Sequence, residues 1–163
     1  MKVFSIVCLL AIAPLAVSAA QTKPKTPAAT AKSSAKGGRT VELTGSDNMK
    51  YNLSTIEAKP GERLHVVLKS IGTAPKMAMA HNFVLLKEGA DAQAFATAAM
   101  NARDTDFIPA DQKDKIIAAT ALAGPGETVD VSFTAPSKAG TYTFLCSFPG
   151  HFAVGMKGQL VVK

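Results

Sequence analysis

The stretch TYTFLCSFPGHFAVGMKGQLVV, Thr141 to Val162, holds two strand patterns on either side of a loop. Tyr142, Phe144 and Cys146 alternate with Thr141, Thr143 and Leu145, which places the three on one face of a strand with the sulfur at its end. Lys157 to Val162 reads as the returning strand. Between them, Pro149-Gly150 supplies turn chemistry, a fixed φ followed by a residue free to take positive φ. The turn brings His151 back toward Cys146, and Phe152, Ala153, Val154 and Gly155 let Met156 return before the last strand begins. A thiol, an imidazole and a thioether thus share one short loop.

Similar runs fill the rest of the chain: Thr40 to Leu43, Lys50 to Leu53, Arg63 to Lys69, Asn82 to Leu86, Lys115 to Ala121 and Thr128 to Thr134. Each is short, rich in alternating or β-branched residues and bounded by Gly, Pro, Asn or Asp. Together they predict an all-β sandwich or barrel of about eight strands. Lys59-Pro60-Gly61-Glu62 and Ala123-Gly124-Pro125-Gly126 mark reversals. One stretch differs: Ala90 to Ala102 is alanine-rich, with Phe95, Ala99 and Met100 at helical spacing, and predicts a short helical insertion with Met100 in its packing.

The N-terminus carries its own signals. Lys2, the apolar run Val3 to Val17 and the small residues Ser18-Ala19-Ala20 have the pattern of a secretory signal peptide over residues 1–20. The run is shorter than the roughly 20 residues of a membrane span, so no stable membrane insertion is expected after its removal. Residues 21–39 contain no acidic and no large apolar residue and read as a flexible basic linker. Of the 18 Lys and Arg, six lie at positions 2, 23, 25, 32, 36 and 39; the 12 that remain match the 12 Asp and Glu. The domain, residues 40–163, is therefore formally neutral, and nucleic acid is not an expected partner.

Cys8 leaves with the signal segment, so Cys146 is the one cysteine of the exported chain and has no disulfide partner. A lone thiol in an oxidising compartment calls for something that occupies its sulfur. Two imidazoles, one thiolate and a weak axial thioether make up the blue-copper electron-transfer site. The second imidazole has to come from another strand end.

Ala80-His81-Asn82-Phe83-Val84-Leu85, Phe144 to His151 and Met156-Lys157-Gly158 resemble the azurin branch of the blue copper proteins, the cupredoxins. The resemblance extends through Gly45-Ser46-Asp47-Asn48-Met49, Ile117 to Thr120 and Gly126 to Val129, nearly all of residues 40–163. It implies a Greek-key cupredoxin fold and a single type 1 copper ion held equatorially by His81, Cys146 and His151 with Met156 on the axis. The Ala80 carbonyl is implied near the opposite axial position, and Asn82 is implied to tie the two ligand segments by hydrogen bonds. Two departures stand out. The disulfide usual in azurins cannot form, and the four residues between His151 and Met156 are a spacing more like that of plastocyanins and auracyanins. His65, in Arg63-Leu64-His65-Val66-Val67, lacks the ligand context and is read as a strand side chain.

The implied activity is one-electron transfer between Cu(II) and Cu(I) in a secreted or periplasmic monomer, with no catalytic residues. Redox partner proteins are expected to dock transiently at an apolar patch around His151, built from Met77, Met79, Phe148, Phe152 and Ala153. A copper carrier or sequestering protein using the same ligands is the alternative. A cysteine nucleophile with His151 as base lacks an orienting third group, and structural zinc is disfavoured by the thioether.

Overall fold

The computed structural model describes residues 38–163 together with the backbone of Ser33–Ser34. The expected signal segment and most of the expected linker lie outside the described residues. Ten strands and one helix follow in order: β1 Ser33–Ser34, β2 Gly38–Ser46, β3 Lys50–Tyr51, β4 Thr55–Ala58, β5 Arg63–Ser70, β6 Val84–Leu86, α1 Ala92–Ala99, β7 Ile116–Ala119, β8 Thr128–Thr134, β9 Gly140–Leu145 and β10 Lys157–Val162. Short 3₁₀ turns at Arg103–Thr105 and Ala110–Lys115 lead from the helix into β7.

The strands form two sheets. One runs β1-β2-β5-β8 with β3 beside β2, and the other runs β4-β10-β9-β6-β7. Only β2 with β5 and β4 with β10 are parallel pairs; the other pairings are antiparallel. The chain changes sheet between β3 and β4, β4 and β5, β5 and β6, β7 and β8, and β8 and β9, as a Greek-key sandwich requires. The all-β expectation is borne out.

Alternation puts the core between the sheets. Leu43, Leu64, Val66 and Leu68 face Leu85, Phe144 and Leu160, each at most 1% exposed. A second, smaller cluster lies on the outer face of the other sheet, where Phe95 of α1 covers Val84, Leu86 and Leu145. That is why β6 is buried at all three positions and reads as an unbroken apolar run rather than an alternating one. Asp91 caps the helix, accepting from the N–H groups of Gln93 at 2.9 Å and Ala94 at 3.0 Å.

The differences from the sequence expectation are local. β4 lies in none of the expected runs, and β6 starts at Val84 rather than Asn82 because Asn82 spends its polar groups elsewhere. Met100 is 50% exposed and not in the packing, since the helix and its buried face end at Ala99. His65 lies 2.9 Å from Asp130 on the surface of β5 and β8, as a strand side chain.

Candidate metal centre

Three of the four expected ligands meet at one end of the sandwich. His81 Nδ1 or Nε2, Cys146 Sγ and a ring nitrogen of His151 all lie within 4.8 Å of one another, and all three residues are buried. His81 enters between β5 and β6, held by a bridge in which its N–H and carbonyl pair with Ala123 at 3.0 and 2.7 Å. Cys146 follows the last residue of β9. His151 stands after the Pro149-Gly150 turn, where Gly150 takes φ +83° and the His151 N–H reaches the Phe148 carbonyl at 3.1 Å.

The backbone closes this loop on itself. The Cys146 N–H donates to the Met156 carbonyl at 3.1 Å and the Met156 N–H to the His151 carbonyl at 2.9 Å, so the relative positions of three candidate ligands are fixed before any side chain is considered. Lys50 of β3 donates to the Val154 carbonyl and clamps the same loop from outside. The Met156 side chain is fully buried. It shares a neighbour with His81: a methyl group at Gly45 would stand 2.8 Å from His81 Cγ and 2.9 Å from Met156 Cε. Gly45→Ala is therefore expected to push one of the two aside, lowering copper affinity at least about tenfold and stability by about 1–3 kcal/mol. A copper-competition titration beside thermal unfolding checks it.

Asn82 ties the two ligand segments together. Its amide donates to Ser147 Oγ at 2.8 Å and its side-chain oxygen accepts the Ser147 N–H at 2.9 Å. Asp47, exposed at the end of β2, accepts from the Thr73 N–H and hydroxyl at 2.8 and 3.1 Å and from the Ala74 N–H at 3.4 Å. It latches the segment leading to His81. Those bonds hold its carboxyl below the usual range. Gly45 and Asp47 belong to a stretch noted in the sequence only for its resemblance, and no residue type there announces a role in the site.

Burial sets the protonation states of this group. Burial pushes the Cys146 thiol up to about 12, although the N–H groups of Asn82 and Phe148 act against this. Burial, then the neighbouring His81, lowers His151 to about 4; burial also lowers His81, with Asp47 opposing. Thiol and imidazoles are thus neutral at pH 7. The sulfur lies 3.4 Å from His151 Nδ1 and 3.9 Å from the Ala80 carbonyl.

Neither ring nitrogen of His81 has a hydrogen-bond partner, although both are buried. Buried polar atoms are rarely left so, and two such nitrogens beside a thiol and a second imidazole form a group that could hold a metal ion. No carboxylate belongs to the group, so the donor set of sulfur and imidazole does not suit a hard cation, and the buried Met156 thioether beside His81 favours copper over zinc.

The family model described as copper binding proteins, plastocyanin/azurin family, matches residues 39–163. The chain belongs to that family. The azurin of Achromobacter denitrificans is 43% identical over 124 residues, spanning 72% of this chain and 80% of the relative. Outer membrane protein H.8 of Neisseria meningitidis is 33% identical over 128 residues, spanning 77% and 68%. Among solved structures, the dithionite-reduced auracyanin of the photosynthetic bacterium Roseiflexus castenholzii superposes with a TM-score of 0.68 at 40% identity, covering 76% of this chain and 96% of that one. This cupredoxin accordingly has copper as its cofactor, and the family's activity is electron carriage.

The expected docking patch needs one correction. Phe152 is only 8% exposed and packs with Val84, Leu86, Phe95 and Leu145, with the Lys157 ammonium 4.3 Å from its ring centre. The ring turns inward because the outer face of β6 and β9 needs cover. Phe148 instead lies against His151, 4.9 Å between centroids, and against Phe107 at 5.0 Å. Met77 is 81% exposed and Val154 46%.

Proposed function

We propose that the chain is an exported one-electron carrier in which His81, Cys146 and His151 hold a type 1 copper ion equatorially and Met156 supplies the axial thioether. The observation that carries this reading is the fully buried, unpartnered His81 imidazole within reach of the Cys146 sulfur and the His151 ring. Copper, when bound, supplies the Cu(II)/Cu(I) couple. The residues supply rigidity: the Asn82–Ser147 bonds join the His81 and Cys146 segments, and the backbone links among Cys146, His151 and Met156 hold the loop. Ligands held this way move little when the charge at their centre changes, so reorganisation is small and exchange fast.

A nucleophilic cysteine is disfavoured by the same geometry, because a thiol pushed up to about 12 is scarcely ionised at neutral pH. Export is supported by the signal-like residues 1–20 and by a relative named as an outer membrane protein. No helix among the described residues is long and apolar enough to cross a membrane.

Copper loading of the mature domain tests the reading. An intense blue absorption from the thiolate supports it; a colourless protein that takes up only Cu(I) favours the carrier or sequestering alternative, and thiol-dependent hydrolysis favours an enzyme. Partners are proposed to dock at the surface carrying Phe148, Ala153, Met77 and Met79. Ala153 is exposed, so Ala153→Glu leaves packing intact. It is expected to slow electron self-exchange about tenfold through like-charge repulsion, with an unchanged visible spectrum, as stopped-flow or NMR line broadening can measure.

A further inference from the structure

Tyr51 stands on β3 with its ring against Phe144, centroids 5.6 Å apart and planes at 54°. A phenylalanine would meet that packing. The hydroxyl does something else: it donates to the backbone carbonyl of Asn82, the residue that follows His81 and binds Ser147 twice through its side chain. Asn82 is thus held from two directions. Ser147 fixes its amide, while Tyr51, arriving from the opposite sheet, fixes its carbonyl. The same peptide is held at its other side as well, since the Phe83 N–H donates to Thr120 Oγ1 at 3.0 Å.

We infer that Tyr51 is a positioning residue for the metal centre: its hydroxyl fixes the Asn82 backbone, and through Asn82 the two side-chain bonds to Ser147, the neighbour of Cys146. The inference rests on the electron-carrier reading. Ligand segments tied together by hydrogen bonds deny Cu(II) the tetragonal arrangement it prefers, so bonds behind the ligands tune the potential. A slackened Asn82 should favour the oxidised state.

Tyr51→Phe removes the hydroxyl and keeps the ring. In copper-loaded protein the blue absorption is expected to persist while the reduced-to-oxidised ratio at a fixed solution potential falls about threefold, the size of one modest hydrogen bond, or roughly 28 mV at 59 mV per tenfold. In metal-free protein, exchange of the Ser147 amide, whose N–H binds Asn82, is expected to quicken about threefold relative to Val66 and Leu68 in β5. Val162→Ala, at the end of β10 remote from Met156, is the stability control and should move neither readout. An unchanged potential, an unchanged Ser147 exchange, or an equal shift in Val162→Ala overturns the inference. A wild-type protein without blue absorption overturns the carrier reading instead, and the metal-free exchange then decides by itself whether Tyr51 holds Asn82.

Discussion

Cys146→Ser protein is expected to lose the blue absorption entirely and to bind copper more weakly by well over the roughly 10–100-fold that follows when a residue behind a metal ligand is changed. The reason lies in what the sulfur alone provides. It is the only soft anionic donor in the group His81, Cys146 and His151; its removal leaves two neutral imidazoles and a thioether, a set with little to hold Cu(II). The fold should survive. A serine hydroxyl is close to isosteric with the thiol and has its two neighbours available as acceptors, the Ala80 carbonyl and His151 Nδ1, so the cost of burying it is about 1 kcal/mol. The main core of Leu43, Leu64, Leu68, Phe144 and Leu160 is untouched. Copper titration, the visible spectrum and metal-free thermal unfolding of both proteins check each part. A serine variant that stayed blue would remove Cys146 from the site.

Much of this architecture was legible because it is written in local patterns. β8 and β10 match the expected runs at both ends, and β5 differs by a single residue, since each alternates cleanly and ends at turn chemistry. β4 escaped for a physical reason. Thr55–Ala58 has only Ile56 and Ala58 buried, too few for periodicity to register, and its strand state comes from parallel pairing with β10 far along the chain. Helix α1 was recognisable from alanine content, but its length is set by where Phe95 and Ala99 run out of outer sheet to cover.

The centre divides in the same way. Cys146, His151 and Met156 announce themselves by residue type and spacing on one loop. His81 could be paired with them only through its resemblance to a known pattern, because nothing local distinguishes it from His65. Gly45, Asp47 and Tyr51 could not be read at all. Gly45 matters for the space its missing side chain leaves to His81 and Met156, Asp47 for two amides in a distant loop, and Tyr51 for a carbonyl on the other sheet. Phe152 packs in the second core, and an aromatic beside a ligand looks the same in sequence whether it faces a partner or such a core.

Metal-free protein is expected to be most stable between about pH 6.5 and 9 and to lose about 3 kcal/mol on acidification toward pH 4. The sign follows from the imidazoles. His151 falls from an ordinary 6.5 to about 4 on folding, so below pH 6.5 the unfolded chain takes up a proton that the folded one refuses. Stability therefore drops through that interval, and His81, lowered by burial, adds in the same direction. Asp47, Glu62 and Glu127, held below their usual values by hydrogen bonds, add further loss in the same direction once pH falls to about 4.5 and below. On the alkaline side the thiol reverses the argument: raised from 9.0 to about 12, it stabilises fully below pH 9, and that contribution is lost as pH climbs toward 12. Denaturant unfolding across this range measures both limbs. A flat profile from pH 6.5 to 4 would show the imidazoles to be freely protonated and the site open to water. The same neutral starting state fixes the proton count of metal uptake at pH 7. One proton, from Cys146, should leave per copper ion bound, and none from His81 or His151, a number that calorimetric titration in two buffers of different ionisation enthalpy reads directly. Release of no proton would mean that the thiol is already ionised or takes no part.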